Sequence, residues 1–337
     1  MIDRPAYLGF AVKALGRPGV KSHDTRRWQS EPHLGVSLDH LRRVFAYLDE
    51  VDIRLYRIAS GLVPYATHPD MPQFHRQVDE CGAELEQIGA QARRLRLRLS
   101  FHPSQYIVLN APDQDLAARS AADVEVQAAV LEAMGLGDEA VVVLHVGGAY
   151  GDRPAALARF ATRYETLSPV ARRRLVVEND DGRFSVPDLL WLHERTGVRL
   201  VFDVHHHHCY NPGGMENAQA ASACLSTWRG WDVRPKVHFS SPRTDWGYRD
   251  GSSDTARAPN WAAHAEFVDP FAFATFYRLA ADAAHSVGVA PPDVILEAKA
   301  KDVAVLQLRR DLVAYARDVS AFFSLNSNRD AAEGSSE

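Results

Sequence analysis

Eight residues of this chain carry the side chains that divalent cations favour: His102, His145, Glu178, Asp203, His206, His238, His264 and Glu297. Imidazole and carboxylate suit a hard or borderline ion engaged in redox-inert hydrolysis, for which thiolate is not needed. No two of them share a local spacing such as H-E-x-x-H, so no short motif carries the signal. What groups them is that most sit where a short apolar run ends. Carboxylates brought together repel one another and are costly to bury, and bound cations are the simplest compensation. Taken singly, each has a plainer reading: a hydrogen-bonded loop histidine, or a rim carboxylate paired with Arg or Lys.

The run His205–His208 directly follows the apolar stretch Leu200–Val204. Strand alternation would put Asp203 on one face with His205 and His207. His206 joins Asp203 only if the chain leaves strand geometry there. His205, His207 and His208 are then expected behind the ligands or at the surface.

The elements that must position these residues are legible as β-branched runs at Tyr7–Val12, Ile53–Ser60, Leu95–Phe101, Val141–Val146, Leu175–Glu178, Leu200–Val204, Lys236–Phe239 and Val294–Glu297. Helical spacing fills the gaps, at Val36–Glu50, Phe74–Ala92, Leu116–Met134, Ala155–Leu167, Val186–Arg195, Phe271–Ala284 and Val303–Phe323. Strand–helix alternation implies parallel strands, and eight units without a break in composition predict a (β/α)8 TIM barrel. An open doubly wound sheet would gather its chemistry at one switch point. Here polar residues stand at the carboxyl ends of many strands, down to Asp180, Lys236 and Lys299. A single domain is expected over 1–323, with a disordered polar tail over 324–337.

The 337 residues are 46% hydrophobic and 24% charged, with a formal net charge of −5. That balance excludes a globally cationic nucleic-acid binder, so a DNA partner would need a local basic surface or metal ions. Candidate phosphate contacts are Arg17, Lys21, Arg26, Arg27 and Arg243. Three cysteines without C-x-x-C spacing argue against a disulfide framework and for a reducing cytoplasm. No apolar leader or membrane-length run is visible, so no membrane partner is expected. Arg96 and Arg98 alternate with His102 and should point into the barrel near its bottom, with no partners identifiable.

The segments IRLYRIAS (53–60), FHPSQYIVLN (101–110), LHVGG (144–148), VENDD (177–181), VFDVHHHH (201–208), KVHFSS (236–241) and EAKAKD (297–302) together resemble the UV-damage endonuclease family, DNA-repair TIM barrels related to endonuclease IV. The resemblance extends from about Leu8 to Leu306. It implies a metal-dependent DNA endonuclease that incises the phosphodiester immediately 5′ to UV photoproducts, with abasic sites as a further substrate class. It also implies up to three divalent cations, manganese or similar, with damaged double-stranded DNA as partner. A monomer is expected, in the cytoplasm and at the nucleoid when on DNA.

Residue by residue, the resemblance makes His102, His145 and Glu178 the ligands of one ion. Glu178, Asp203, His238 and Glu297 would serve a second, with Glu178 bridging, and His206 and His264 a third. Glu178, Lys236 and His238 are the catalytic candidates, and Lys236 is expected to be carboxylated. An ordinary buried lysine paired with Glu178 or Asp203 is the plain alternative. Gln105 and Tyr106 would wedge into the duplex at the lesion, with His68 at the rim and Phe10 on the lesion side. Phe10 stands where the family often has tyrosine. The stretch Pro242–Asn260 reads as an insertion that blurs the placement of His264.

Three other functions compete. A divalent-metal sugar isomerase or epimerase uses the same architecture but normally holds one or two ions. An endonuclease acting mainly on abasic sites keeps the mechanism, and a metal-stabilised DNA-binding protein lacks catalysis.

Overall fold

The computed structural model describes residues 4–245, 247–248 and 256–324. Eight parallel strands close into a barrel: β1 (Leu8–Ala11), β2 (Leu55–Arg57), β3 (Arg98–Phe101), β4 (Val141–His145), β5 (Leu175–Glu178), β6 (Arg199–Asp203), β7 (Lys236–Phe239) and β8 (Asp293–Leu296). Sequential neighbours pair throughout, and β1 meets β8 with Leu8 opposite Val294. This is the barrel that strand–helix alternation predicts. The polar 325–337 stretch lies outside the described residues, and of the 242–260 insertion only part is described.

Because alternate residues of a strand face opposite ways, each strand contributes one set to the interior and one to the helical layer. The interior of β4, β5 and β6 supplies Val141, Val143, Val176 and Val201, packed with Trp228 as a separate apolar cluster. The alternate residues, such as Val142, Leu144, Val177 and Phe202, join the large core beneath the helices. Buried side chains of this kind each stabilise the fold by roughly 1.5–3 kcal/mol. Among the described residues no helix is long and apolar enough to cross a membrane.

Helix starts follow the sequence's capping residues. Asp113, Asp152 and Asp269 accept backbone N–H bonds at the heads of helices Gln114–Ala133, Arg153–Thr166 and Pro270–Ser286, where an acceptor also complements the helix dipole. Two expected helices are interrupted. The 74–92 pattern is split at Cys81 into Gln77–Glu80 and Gly82–Arg94, and the buried Gln77 side chain ties the first piece to backbone at Leu34, Pro64 and Phe74. The 303–323 pattern breaks at Ala316, after Lys301–Tyr315. Helices Pro169–Arg174, Val204–Cys209 and Asn217–Ser226 were not anticipated.

Candidate metal centre

The eight ligand candidates all come to the carboxyl ends of the strands, and ligand atoms fall into three groups. His102, His145 and Glu178 form one, Glu178, Asp203, His238 and Glu297 a second, and His206, His264 and Glu297 a third, with atoms in each group within 4.8 Å of one another. Glu178 and Glu297 each belong to two groups. Glu178 is wholly buried, with Oε2 3.1 Å from His102 Nε2 and Oε1 2.9 Å from His238 Nδ1.

Local structure explains two placements that were in question. Asp203 ends β6 and caps the helix Val204–Cys209, accepting from the His206 backbone N–H at 2.8 Å. Strand geometry therefore stops at Asp203, and the first helical turn swings His206 over the site, its Nδ1 3.4 Å from Glu178 Oε1. His205 and His207 turn instead to the backbone oxygens of Ala262 and Met215, while His208 is exposed beside Asn217. In the 242–260 stretch Gly247–Tyr248 pairs antiparallel with Ala256–Arg257, and Pro242 pairs with His264. That pairing returns His264 to the site, with Nδ1 2.7 Å from the Glu297 carbonyl oxygen.

The electrostatics favour cations at these positions. Burial lowers the His102 imidazole below its ordinary value, leaving it neutral with a single N–H. His102 Nδ1 lies 3.0 Å from the Pro103 carbonyl oxygen, which can only accept. Nε2 lies 3.1 Å from the Glu178 carboxylate, so a single N–H faces two acceptors, and whichever it serves, a lone pair is left against the other unless a cation lies between. A ligating histidine ordinarily spends its other N–H on a carbonyl such as that of Pro103. Asp203 Oδ2 and His238 Nε2 are buried without a hydrogen-bond partner among the described residues, which is costly unless something ligates them. Burial alone would lower His206, but Asp203, Glu178 and Glu297 push it up to about 10. A proton there does part of what a metal would do. The residues fit divalent cations.

Lys236 is the inward residue two before His238, completely buried, with no hydrogen-bond partner for Nζ among the described residues. The pairing with Glu178 or Asp203 is therefore not formed. Burial, reinforced by the charge of Arg98, pushes its amine well below the usual lysine range.

Two expectations need correction. Phe10 is 0% exposed and packs edge-on against Tyr56 at 5.4 Å in the core, so it has no surface to offer DNA. An aromatic without a hydroxyl is free to sink into the apolar layer where a tyrosine would need a partner. Asp180 does not add a carboxylate to the cluster, because it caps the turn that follows, accepting from the Gly182 and Phe184 N–H groups. The carboxylates that converge are Glu178, Asp203 and Glu297. His68 is half-buried, stands outside the three ligand groups, and packs against Tyr65 at 6.2 Å.

Gln105 and Tyr106 stand exposed on the loop after His102, with Tyr106 73% exposed, so it does not pack on its own loop. Gln105 lines a cleft of about 440 Å³ that opens over His102, His145 and His206. Of the proposed phosphate contacts, Arg26 is tied to Asp24 and Arg17 to Glu50.

Two functional residues escaped the sequence reading. Arg57, the last residue of β2, pairs with the Glu297 carboxylate. Asn179 clamps β5 to β6, donating to the Asp203 carbonyl and accepting from its N–H, both at 2.9 Å. Each is a polar residue at a strand end, the same signal that marked the ligands, but neither is a metal-binding type.

Comparison with known proteins bears on this centre. Residues 33–325 match the profile of the family described as UV-endonuclease UvdE. The UV DNA damage endonuclease of Bacillus velezensis is 32% identical over 279 residues, 83% of this chain and 81% of its own length. That of Bacillus cereus (strain B4264) is 31% identical over 284 residues, covering 82% and 81%. A solved structure described as SacUVDE superposes with a TM-score of 0.73 at 27% identity, covering 92% of this chain and 98% of its own. L-ribulose 3-epimerase, at 15% identity and a TM-score of 0.55 over 98% and 99%, shares the barrel alone.

Proposed function

The chain belongs to the UV-endonuclease UvdE family of DNA endonucleases, and we propose that it incises duplex DNA immediately 5′ to UV photoproducts in a reaction that depends on divalent metal. The observation that carries this reading is the merging of three ligand groups through Glu178 and Glu297, beneath a cleft lined by Gln105, with Tyr106 exposed next to it in the chain. Divalent cations held there, manganese being the proposed occupant, would supply Lewis-acid activation of water and neutralise charge on the leaving oxygen.

The protein's own groups do the rest. Glu178 holds two ligand groups in register, one oxygen toward His102 and the other toward His238. Arg57 fixes the rotamer of Glu297, and Asn179 fixes the strand end that carries Asp203. Gln105 and Tyr106 are assigned the space vacated when damaged nucleotides leave the stack, a step that costs least where stacking is already broken. Abasic sites, which lack a base to unstack, form a second substrate class on the same reasoning. Pro103 and Ile107 flank that loop on the cleft wall.

Lys236 is assigned a carbamate. Only a neutral amine adds carbon dioxide, forming an N–C bond and releasing a proton, and burial supplies the neutral amine. The product anion would suit neighbouring cations. Stripping carbon dioxide should lower activity and bicarbonate should restore it. A bare amine in the fully metallated, active enzyme would overturn this assignment.

The deciding experiment uses a duplex carrying one pyrimidine dimer, with cleavage mapped to the nucleotide, with and without manganese. A single cut immediately 5′ to the dimer, leaving a 3′-hydroxyl, is expected only with metal. No cut, or cutting at abasic sites alone, would refute the reading.

A further inference from the structure

The opposite end of the barrel holds a recess of about 320 Å³, lined by Arg4, Arg93, Arg96, Arg98 and Arg234. Against these five guanidinium groups stand three carboxylates: Glu139 and Asp232 in the lining, and Asp293 fully buried behind it. Asp293 is already engaged, by Arg4 at 2.6 Å and by Arg98 at 2.7 Å. A chain with net charge −5 thus concentrates positive charge on this floor. Arg98 is 1% exposed and Arg234 8%, yet Arg98 Nη2 and Arg234 Nε have no hydrogen-bond partner among the described residues. A buried guanidinium donor left unpaired is costly, and burial lowers the pKa of both groups.

Arg96 adds an independent observation. It occupies the left-handed position that ends the helix Gly82–Arg94, with φ 55°, its N–H on Arg93 O and that of Leu97 on Ala92 O. The helices Gln114–Ala133 and Pro270–Ser286 end in the same bonding pattern with Gly135 and Gly288 at that position, and Leu34–Glu50 ends in it with Asp52, a residue type that tolerates the left-handed region better than arginine does. Glycine accepts this conformation without a Cβ penalty, whereas arginine does not. An arginine is therefore kept at backbone cost at the lip of an arginine-lined recess, its side chain exposed.

We propose that the barrel floor is a binding site for a phosphate-class anion, orthophosphate or a terminal phosphomonoester, separate from the metal centre. Guanidinium forks match tetrahedral oxyanions through paired N–H bonds, and such an anion would sit between the exposed guanidinium groups of Arg93 and Arg96 at the lip, over the buried charge of Arg98 and Arg234.

The test is calorimetric titration of orthophosphate into the full chain, against chloride at matched ionic strength. Phosphate is expected to bind, and Arg96→Gly to weaken that binding at least tenfold while leaving the phosphate-free Tm unchanged or raised. A cation-loaded mouth also attracts phosphate, so the titration is repeated in Glu178→Gln, where the floor event persists. A deoxynucleoside monophosphate that binds more tightly than orthophosphate identifies the phosphomonoester as the ligand, and equal affinity identifies orthophosphate. Three results would overturn the proposal: phosphate no better than chloride, equal binding by Arg96→Gly, or equal binding of the deoxynucleoside lacking phosphate.

Discussion

The two ends of the barrel strands solve opposite electrostatic problems with the same inward-facing positions. At the floor, β3 begins with Arg98 and β8 with Asp293, and the two side chains meet in a buried ion pair that Arg4 completes. At the mouth, β5 ends in Glu178 and β6 in Asp203, while Glu297 follows β8. Of these three carboxylates, Glu297 has an arginine, Arg57, and the other two face imidazoles. The floor neutralises its acids with side chains of the protein itself. The mouth leaves lone pairs facing lone pairs. A cation is needed at one end and not at the other, and the difference predicts how each responds to mutation.

The largest effect should follow from breaking the mouth at its shared ligand. Glu178→Gln replaces one anionic oxygen with an amide nitrogen that cannot ligate, so two ligand groups fail together. Incision should fall by several orders of magnitude and elemental analysis should show lost metal. The metal-free Tm should stay near the wild-type value, since one carboxylate fewer relieves repulsion while the imidazoles facing Glu178 lose a counter-charge. Wild-type turnover, or full metal content, would remove Glu178 from the bridging role.

The same isosteric change at the floor should do the reverse. Asp293→Asn leaves Arg98 and Arg4 without their counter-charge, and breaking a buried pair in this way costs about 3–5 kcal/mol. Metal content should be unchanged. Burial alone would raise the Asp293 carboxyl, but the Arg98 and Arg4 guanidinium groups hold it below its ordinary value of 3.8. Its stabilisation is complete above that value and is lost as pH falls through the lower folded-state value. Tm should therefore drop more steeply below about pH 4 in the wild type than in Asp293→Asn. Parallel acid profiles would show that the floor pair is not what titrates.

At the mouth's rim the effect should be smaller and confined to selectivity. The double variant Gln105→Ala, Tyr106→Ala removes an exposed ring and amide that no core contact needs. Stacking on one base contributes about 1–3 kcal/mol, so preference for damaged over undamaged duplex should fall roughly 5- to 150-fold. Bound metal should not change. Unaltered discrimination would sink the wedge role.

These contrasts also mark what could be read before any coordinates. The eight strands were visible because runs such as VVVLH and LVVE are too β-branched and too short to be helices. Most ligands were visible because each follows such a run. The partners were not. That Arg98 meets Asp293 depends on strand register and closure, which join residues 195 apart in sequence. Arg57 and Asn179 went unmarked because they support ligands rather than being ligands. Phe10 was misplaced because its neighbours' spacing carries no information about depth.

The smallest effect should come from within the histidine run, where four identical side chains have four different surroundings. His206 faces Glu178 because Asp203 starts a helix at that point, and a helix turns successive residues by about 100° rather than 180°. His208 therefore lies away from the site, exposed and hydrogen-bonded to Asn217. His206→Ala should remove one bound cation per chain and depress incision. His208→Ala should keep full metal content, with activity within about twofold of wild type and stability within about 0.5 kcal/mol, as for an ordinary surface change. Equal losses in the two variants would mean that the run acts as a unit, and that the strand-to-helix switch at Asp203 does not select the ligand.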